Sequence, residues 1–497
     1  MGISTAVDAS AVARVVGIKT EFKDLRAGAI TNLPQRIAVV GQGNTLAVYA
    51  TTKLQVFSAL EAANTYGFGS PIHLAVEELL PINGDGVGTI PVTIYPLDDD
   101  GGGSVSTGDL TPSGAPTVDA SYQISVNNIL SQAFTIAVGD SVADIVTAMT
   151  AAVNAILEMP IIAVDGVTAL DFTSKWEGTS ANDIDVSIIG SITAGNIFTI
   201  TQPVGGAANP DVDLSLNQFG NVWESMVLNC MDVADTVTLD KYSVFGEGRW
   251  GSLVRKPLVV FSGDTNTTVA AAIAVPDARK TDRVNAQLVS PGSKDLPFVV
   301  AARQLARIAV VANNKPANDY GSQNAIGLNP GADGDQWTYT QRDTAVKAGS
   351  STIEVKGGVV HLSDTVTFYH PDGDPAPAYR YVTDIVKLQN IIFNIDLIFA
   401  TPEWDGAPLI PDDQPTVNRD AKKPMTAVAA MAAMTDSLGL AALISDTEAA
   451  KASIQAEIDG ANPKRLNVVE TFKLSGNTNI ISVDLDWGFF FGTSPTV

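Results

Sequence analysis

Hydrophobic and polar positions alternate most cleanly near the C-terminus. Residues 479–491 read Asn-Ile-Ile-Ser-Val-Asp-Leu-Asp-Trp-Gly-Phe-Phe-Phe. Ile481, Val483, Leu485, Trp487, Phe489 and Phe491 share one side of a period-two pattern, and Ser482, Asp484, Asp486 and Gly488 share the other. Side chains switch faces at every residue of an extended backbone, so this is a strand with one apolar face. A terminal segment frays unless something ties it down. Two placements satisfy the pattern. The strand closes a sheet of its own chain, or it is added to a neighbour's sheet, where backbone hydrogen bonds give strength and alternate side chains give register. The reading adopted is a self-assembling subunit, linked to copies of itself partly through its ends.

The rest of the chain alternates strand and helix signals. Residues 1–34 show no helical stripe and read as an extended arm. Residues 36–44 are a buried strand running into a glycine turn, followed by helices at about 53–64, with Leu54, Phe57, Ala59 and Leu60 inward, and about 72–80. A strand at 90–97 completes the start of an α/β layer. The run Asp98-Asp-Asp-Gly-Gly-Gly-Ser marks a change of character. Beyond it, short strands dominate, around one amphipathic helix at 141–157 that Ser141 or Asp140 can cap, until Pro203-Val-Gly-Gly-Ala-Ala-Asn-Pro. Both ends of this stretch are glycine-rich, as insertion points in surface loops are. From residue 211 the α/β character resumes, with strands at 257–263 and 285–290 and a strong helix at 297–311. Gly357-Gly358 joins two strands as a hairpin. Helices follow at about 384–400, 424–438 and 446–459, and a strand at 466–474 precedes the terminal one. The expected class is α+β: an α/β-layer core with an inserted β-rich domain and extended terminal arms. The expected parts are an N-terminal arm (1–34), core (35–97), inserted outer domain (98–210), core again (211–475) and C-terminal arm (476–497).

Charge narrows the function. The chain of 497 residues carries 30 basic and 54 acidic residues, a formal net charge of -24. Nucleic-acid backbones need a basic surface, so no nucleic-acid partner is expected, and anionic membranes are equally disfavoured. The single cysteine, Cys230, excludes an internal disulfide. No secretory leader is legible in the first ten residues, and no apolar run reaches membrane-spanning length. The chain is expected to fold in a cytoplasm.

Candidate chemistry is sparse. Gly41-Gln-Gly43 follows a strand, but position 46 is leucine, not the third glycine of a dinucleotide turn. Gly178-Thr-Ser-Ala resembles the serine triplet of subtilisin-like proteases, yet no helix follows it. The histidines His73, His361 and His370 stand in no setting that presents a general base. Acidic loops at Asp98–Asp100, Asp333/Asp335 and Asp372/Asp374 lack the spacing of a calcium loop. Three histidines and one cysteine disfavour zinc. No catalytic residue, cofactor or metal is therefore expected. The basic clusters are Arg303 with Arg307, Lys422-Lys423 and Lys464-Arg465. Each either faces an acidic partner or pairs with local carboxylates.

Several stretches, taken in order, resemble the sheath proteins of contractile phage tails of the Mu-like kind. They are Arg36-Ile-Ala-Val-Val-Gly, Tyr66-Gly-Phe-Gly-Ser-Pro-Ile-His-Leu-Ala, Lys175-Trp-Glu-Gly-Thr-Ser-Ala-Asn-Asp-Ile-Asp-Val, residues 301–311 with Asn314-Lys-Pro-Ala-Asn-Asp, Arg342-Asp-Thr-Ala-Val-Lys-Ala-Gly-Ser-Ser-Thr, and residues 359–369 with His370-Pro-Asp-Gly. The order of these motifs is more specific than any one of them, and residues 402–423 do not align. The resemblance implies a structural, non-enzymatic subunit. It implies hexameric rings stacked helically around an inner tail tube protein, bounded by baseplate and tail terminator proteins. It implies terminal arms that complete neighbours' sheets, and contraction that drives the tube through the host envelope during genome ejection. The subunit would be made and assembled in the host bacterial cytoplasm and reside in the virion tail. Hinges are expected at Pro34 and Gly476, and Lys422, Lys423 and Arg465 are candidates for contact with the tube. A bacteriocin or other phage-derived injection device is the close alternative, and a multidomain cytoplasmic enzyme the remote one.

Overall fold

The computed structural model describes residues 30–113, 116–190, 197–375 and 377–489. Helices and strands are mixed throughout, an α+β chain. The described residues form two compact units, 32–393 with 474–489, and 30–31 with 394–473.

The larger unit is built on a six-stranded sheet. Its strands are β1 (Ile37–Gln42), β2 (Leu54–Val56), β3 (Val92–Leu97), β4 (Met226–Asn229), β5 (Val259–Asp264) and β6 (Asn285–Val289), in the order β6-β5-β4-β1-β3-β2. All neighbours are parallel except β2, which pairs antiparallel with β3 at the edge. β1, β3, β4, β5 and β6 are buried at every position. A parallel sheet covered on both faces buries every position of its strands, here even the polar Gln42, Asn229, Asp264, Asn285 and Gln287. The helix Pro297–Asn314 packs across β4, β5 and β6, and the helix Pro71–Leu79 packs on β1.

The five parallel strands follow the doubly wound order in which the chain direction switches between the first and third strands, here β1 and β4. Sheets of this kind take ligands in the crevice at that switch, beyond the strands' carboxyl ends. Here the crevice is filled from within. A Cβ on Gly41, near the end of β1, would lie 3.0 Å from the Cys230 side chain, so glycine lets the two strand ends close. Gln42 Nε2 then donates to the Glu177 carbonyl at 2.9 Å. The wholly buried Trp176 meets Phe298 edge-on, with ring centroids 6.1 Å apart.

Glu177 and Trp176 belong to the strand-rich stretch inserted after β3. It holds two four-stranded antiparallel sheets and the helix Val142–Asn154. Ser141 caps that helix in a reciprocal box with Asp144. Asn127 Nδ2 donates to the Lys294 carbonyl (2.9 Å) and Asn128 Nδ2 to Asp295 Oδ1 (2.6 Å), fastening the stretch to the core.

Two local expectations are corrected, and one helix was not expected. Residues 53–64 are not one helix. Leu54–Val56 is an edge strand, and the helix Ala59–Tyr66 begins only after Ser58, whose hydroxyl accepts from the Glu61 N–H while Glu61 Oε2 accepts from the Phe57 N–H. This Ser-x-x-Glu box is a start signal that the apolar spacing obscures. It turns Phe57 and Leu60 outward, at 75% and 57% exposure. Residues 446–459 likewise split into the helix Thr447–Ser453 and the strand Gln455–Ile458. The apolar pattern also fails to predict the helix Tyr339–Lys347. Its polar surface hides the period, but Thr338 and Gln341 form its capping box.

In the smaller unit, the helix Pro424–Leu440 packs on Thr447–Ser453 and on the antiparallel pair Gln455–Ile458 with Leu466–Val469. Thr435 Oγ1 donates to Glu470 Oε1 at 2.6 Å, and Lys451 bridges Asp436 and Glu448.

Candidate assembly interface

Residues 475–489 run without helix or strand. Ile481, Val483, Leu485, Trp487 and Phe489 are between 74% and 80% exposed, and Ile480 is 83% exposed. Trp487 and Phe489, two positions apart, touch edge to face with centroids 5.3 Å apart, as same-side residues of an extended chain do. Among the described residues, no strand of the chain pairs with this segment. Phe491 lies outside the described residues. The apolar face read from the sequence is thus presented to solvent in the single chain. Large apolar side chains in contiguous array on a surface mark an interaction site.

The two expected hinge positions lie between anchored neighbours. Pro34 is exposed, but Leu33 and Gln35 on either side are buried. The Leu33 N–H donates to Asn390 Oδ1 at 2.8 Å, and the Gln35 N–H to Asn313 Oδ1 at 3.1 Å. Gly476 is exposed, and a Cβ added to it would meet nothing within 4 Å. The Ser475 carbonyl and the Asn477 Oδ1 flanking it both accept from Lys387 Nζ, at 2.7 and 2.6 Å. The sequence reasoning missed Lys387 and Asn390. Their signal is polar residues three apart in the apolar helix Val382–Phe399.

The candidate basic contacts are partly engaged locally. Lys422 pairs with Glu403 at 3.3 Å and sits over the Trp404 ring. Lys423 Nζ donates to the Asp412 and Gln414 carbonyls, each at 2.8 Å. Arg465 lies 3.9 Å from Asp459 and is 65% exposed. Arg303 and Arg307 face Glu78 and Asp85, at 3.0 and 3.1 Å.

The residues that invited an enzymatic reading serve structure. Ser180 is buried, and its hydroxyl accepts from Trp176 Nε1 at 3.0 Å. His73 is buried with Nδ1 accepting from the Gly69 N–H, and burial, followed by the Lys175 charge, lowers its pKa to about 4. His370 is buried against the Phe368 carbonyl, and His361 lies 3.4 Å from the Ser322 carbonyl. Burial pushes the Cys230 thiol far up, which leaves it an inert core group. Asp100 Oδ1 accepts from the Gly102 N–H in a tight turn, and Asp372 pairs with Lys280. Among the described residues, no group of three or more His, Cys, Asp or Glu is placed to hold a metal.

Buried carboxyl groups do occur where the inserted stretch meets the core. Burial, with Asp232 and Asp264 nearby, raises Asp183 to about 8. Burial lifts Asp264 to about 6, and Glu78 to about 7 despite the opposing Arg303 charge.

No family model matches the chain. Over 438 residues it is 23% identical to the Mu-like prophage FluMu tail sheath protein of Haemophilus influenzae, a match covering 85% of this chain and 86% of that protein. The chain is similar to a Mu-like tail sheath protein over most of its length. Solved sheath tail proteins are also similar to it. That of Desulfitobacterium hafniense is 12% identical at a TM-score of 0.45, covering 93% of this chain and 100% of the other. That of Listeria innocua is 13% identical at a TM-score of 0.48, covering 90% and 93%. For a tail sheath relative, a surface for like subunits is the site to look for, and the exposed face from Ile481 to Phe489 is the strongest candidate on the described surface.

Proposed function

We infer that this chain is the structural subunit of a contractile tail sheath, and that its C-terminal segment is donated to a neighbouring copy. Subunits stack as hexameric rings around an inner tail tube, between baseplate and terminator, in a tail assembled in the host cytoplasm. The observation that carries the donated-strand reading is the period-two apolar face at 481–489, left in solvent by its own chain. Added to a neighbour's sheet edge, it would gain backbone hydrogen bonds and bury the alternate side chains together.

Such a link suits a device with two states. A contractile lattice stores free energy at assembly and releases it on firing, with no nucleotide consumed. Rigid domains change orientation, while strands joined by backbone hydrogen bonds keep neighbours attached. The occupied switch-point crevice fits this reading, since the chain itself fills the place where such sheets take a ligand.

Negative-stain electron microscopy of the purified chain, alone and with its tube protein, tests the reading. Striated hollow tubes or stacked rings are expected from the full chain, and dispersed subunits from a chain ending at Asn479. Tubes formed equally by the shortened chain would refute donation of the C-terminal segment.

A further inference from the structure

We propose that one turn of the helix Val382–Phe399, carrying Lys387 and Asn390, anchors the roots of both terminal segments, so that neither segment pivots at Pro34 or Gly476. The proposal rests on the reading of donated ends for its functional sense, but the anchoring stands on contacts within the larger unit.

The C-terminal anchor is a buried cation. The Lys387 side chain is wholly inaccessible, and its ammonium has three donors to satisfy. It finds the Ser475 carbonyl at 2.7 Å, Asn477 Oδ1 at 2.6 Å and Asp384 Oδ1 at 3.2 Å. Two of the three acceptors thus come from the root of the C-terminal segment. Lifting residues 475–477 off the helix would strand a buried charge, which is strongly unfavourable. Asn477 also donates through Nδ2 to the Ala317 carbonyl at 2.9 Å. The Asn479 N–H donates to the Asn477 carbonyl at 3.1 Å, and the Asn479 side chain hydrogen-bonds Tyr381 on the approach to the same helix. The fixed path ends there. From Ile480 onward every described apolar side chain of the segment is exposed.

The N-terminal anchor sits one turn further along. Asn390 Oδ1 accepts from the Leu33 N–H at 2.8 Å, while its Nδ2 donates to the Val386 carbonyl. Gln35 Oε1 accepts from Ser225 Oγ at 2.6 Å, and the Arg36 N–H donates to the same hydroxyl at 3.2 Å, locking the chain as it enters β1. Inside the smaller unit, Asn394 holds Thr31 on both sides, at 3.2 and 3.0 Å.

Positions 387 and 390 are three apart and share a face of the helix. At 1.5 Å per residue they are about 4.5 Å apart along the axis. The two anchors are therefore linked through a single helical turn, alongside the N-terminal root's own path into β1. Proline and glycine at 34 and 476 shape the roots within that grip.

Hydrogen–deuterium exchange on the unassembled full chain tests this. In the natural sequence, the Leu33 amide and those of residues 477–479 should be protected, with residues 480–489 exchanging at free-chain rates. Lys387→Met should speed exchange at 477–479 by tenfold or more while β5 stays protected, and Asn390→Ala should do the same at Leu33. Asn477→Ala, at the rim of the anchor, serves if Lys387→Met fails to fold. Free-chain exchange at 477–479 in the natural sequence, or unchanged rates in the variants, would overturn the proposal. Tube formation by the natural chain is scored separately, and its absence would count against donated ends alone.

Discussion

Trp487→Asp is expected to leave the isolated subunit folded and to abolish tube formation. The side chain is 76% exposed in the single chain, so its removal takes nothing from the subunit's own core. A tryptophan offers about 200 Å² of surface, so roughly 150 Å² remains to be buried on donation. At about 25 cal/mol per Å² that is about 4 kcal/mol for each link between subunits. At about 1.4 kcal/mol per tenfold, this weakens each link nearly a thousandfold, before the cost of placing a carboxylate in an apolar seam. Thermal melting of the subunit and electron microscopy of the assembly mixture are the assays. An unchanged melting temperature with dispersed subunits is the expected pair of results. Trp487→Phe, which keeps most of the area, should raise the concentration needed for tubes but still permit them. Normal tubes from Trp487→Asp would refute the reasoning. So would a large fall in melting temperature, because it would place the indole inside the subunit's own fold.

Other outcomes follow from the interior. Asp183 keeps its proton in the folded state up to about 8, while an unfolded chain releases it near the ordinary 3.8. The unfolded state therefore binds fewer protons, and this group lowers stability as pH rises from 3.8 through about 8. Asp183→Asn should stabilise the chain by on the order of 2 kcal/mol at pH 8, with the gain shrinking toward pH 4, as read from urea midpoints. Gly263→Ala should cost about 3 kcal/mol or more and remove soluble protein, because a Cβ there would overlap the Pro297 carbonyl. Gly476→Ala, with open space around it, should shift stability by less than about 0.5 kcal/mol in the same denaturation assay.

The sheet was legible where burial is symmetrical. Ile37–Gln42 and Val259–Asp264 are largely apolar runs because both faces are covered, and such runs need no partner to be recognised. The terminal segment carries the opposite pattern, a single apolar face with period two, which its own chain leaves exposed. What escaped were features set by short-range polar geometry. The Ser58–Glu61 box moved a helix start by several residues, and Thr338–Gln341 nucleated a helix with no apolar stripe. Lys387 escaped because a lysine in an apolar helix reads as a surface residue, and its partners lie 88 and 90 positions away. Lys422 and Lys423 read as a free basic pair, yet the acceptors of Lys423 lie on a loop whose path no periodicity encodes.

The stretch lodged at the switch point behaves as a keystone. Its incoming and outgoing strands are stitched together, with Ser104 and Ala207 exchanging backbone hydrogen bonds at 3.0 and 3.2 Å. Geometrically, then, residues 98–210 could be cut out and the ends rejoined by a short turn. Surface insertions usually tolerate such surgery. This one would not, because its removal would uncover Phe298 and the carboxyl ends of β1 and β4 together, turning the centre of the molecule into an adhesive surface. The stretch that looks removable by its closed ends is thus the piece that keeps the middle of the sheet covered.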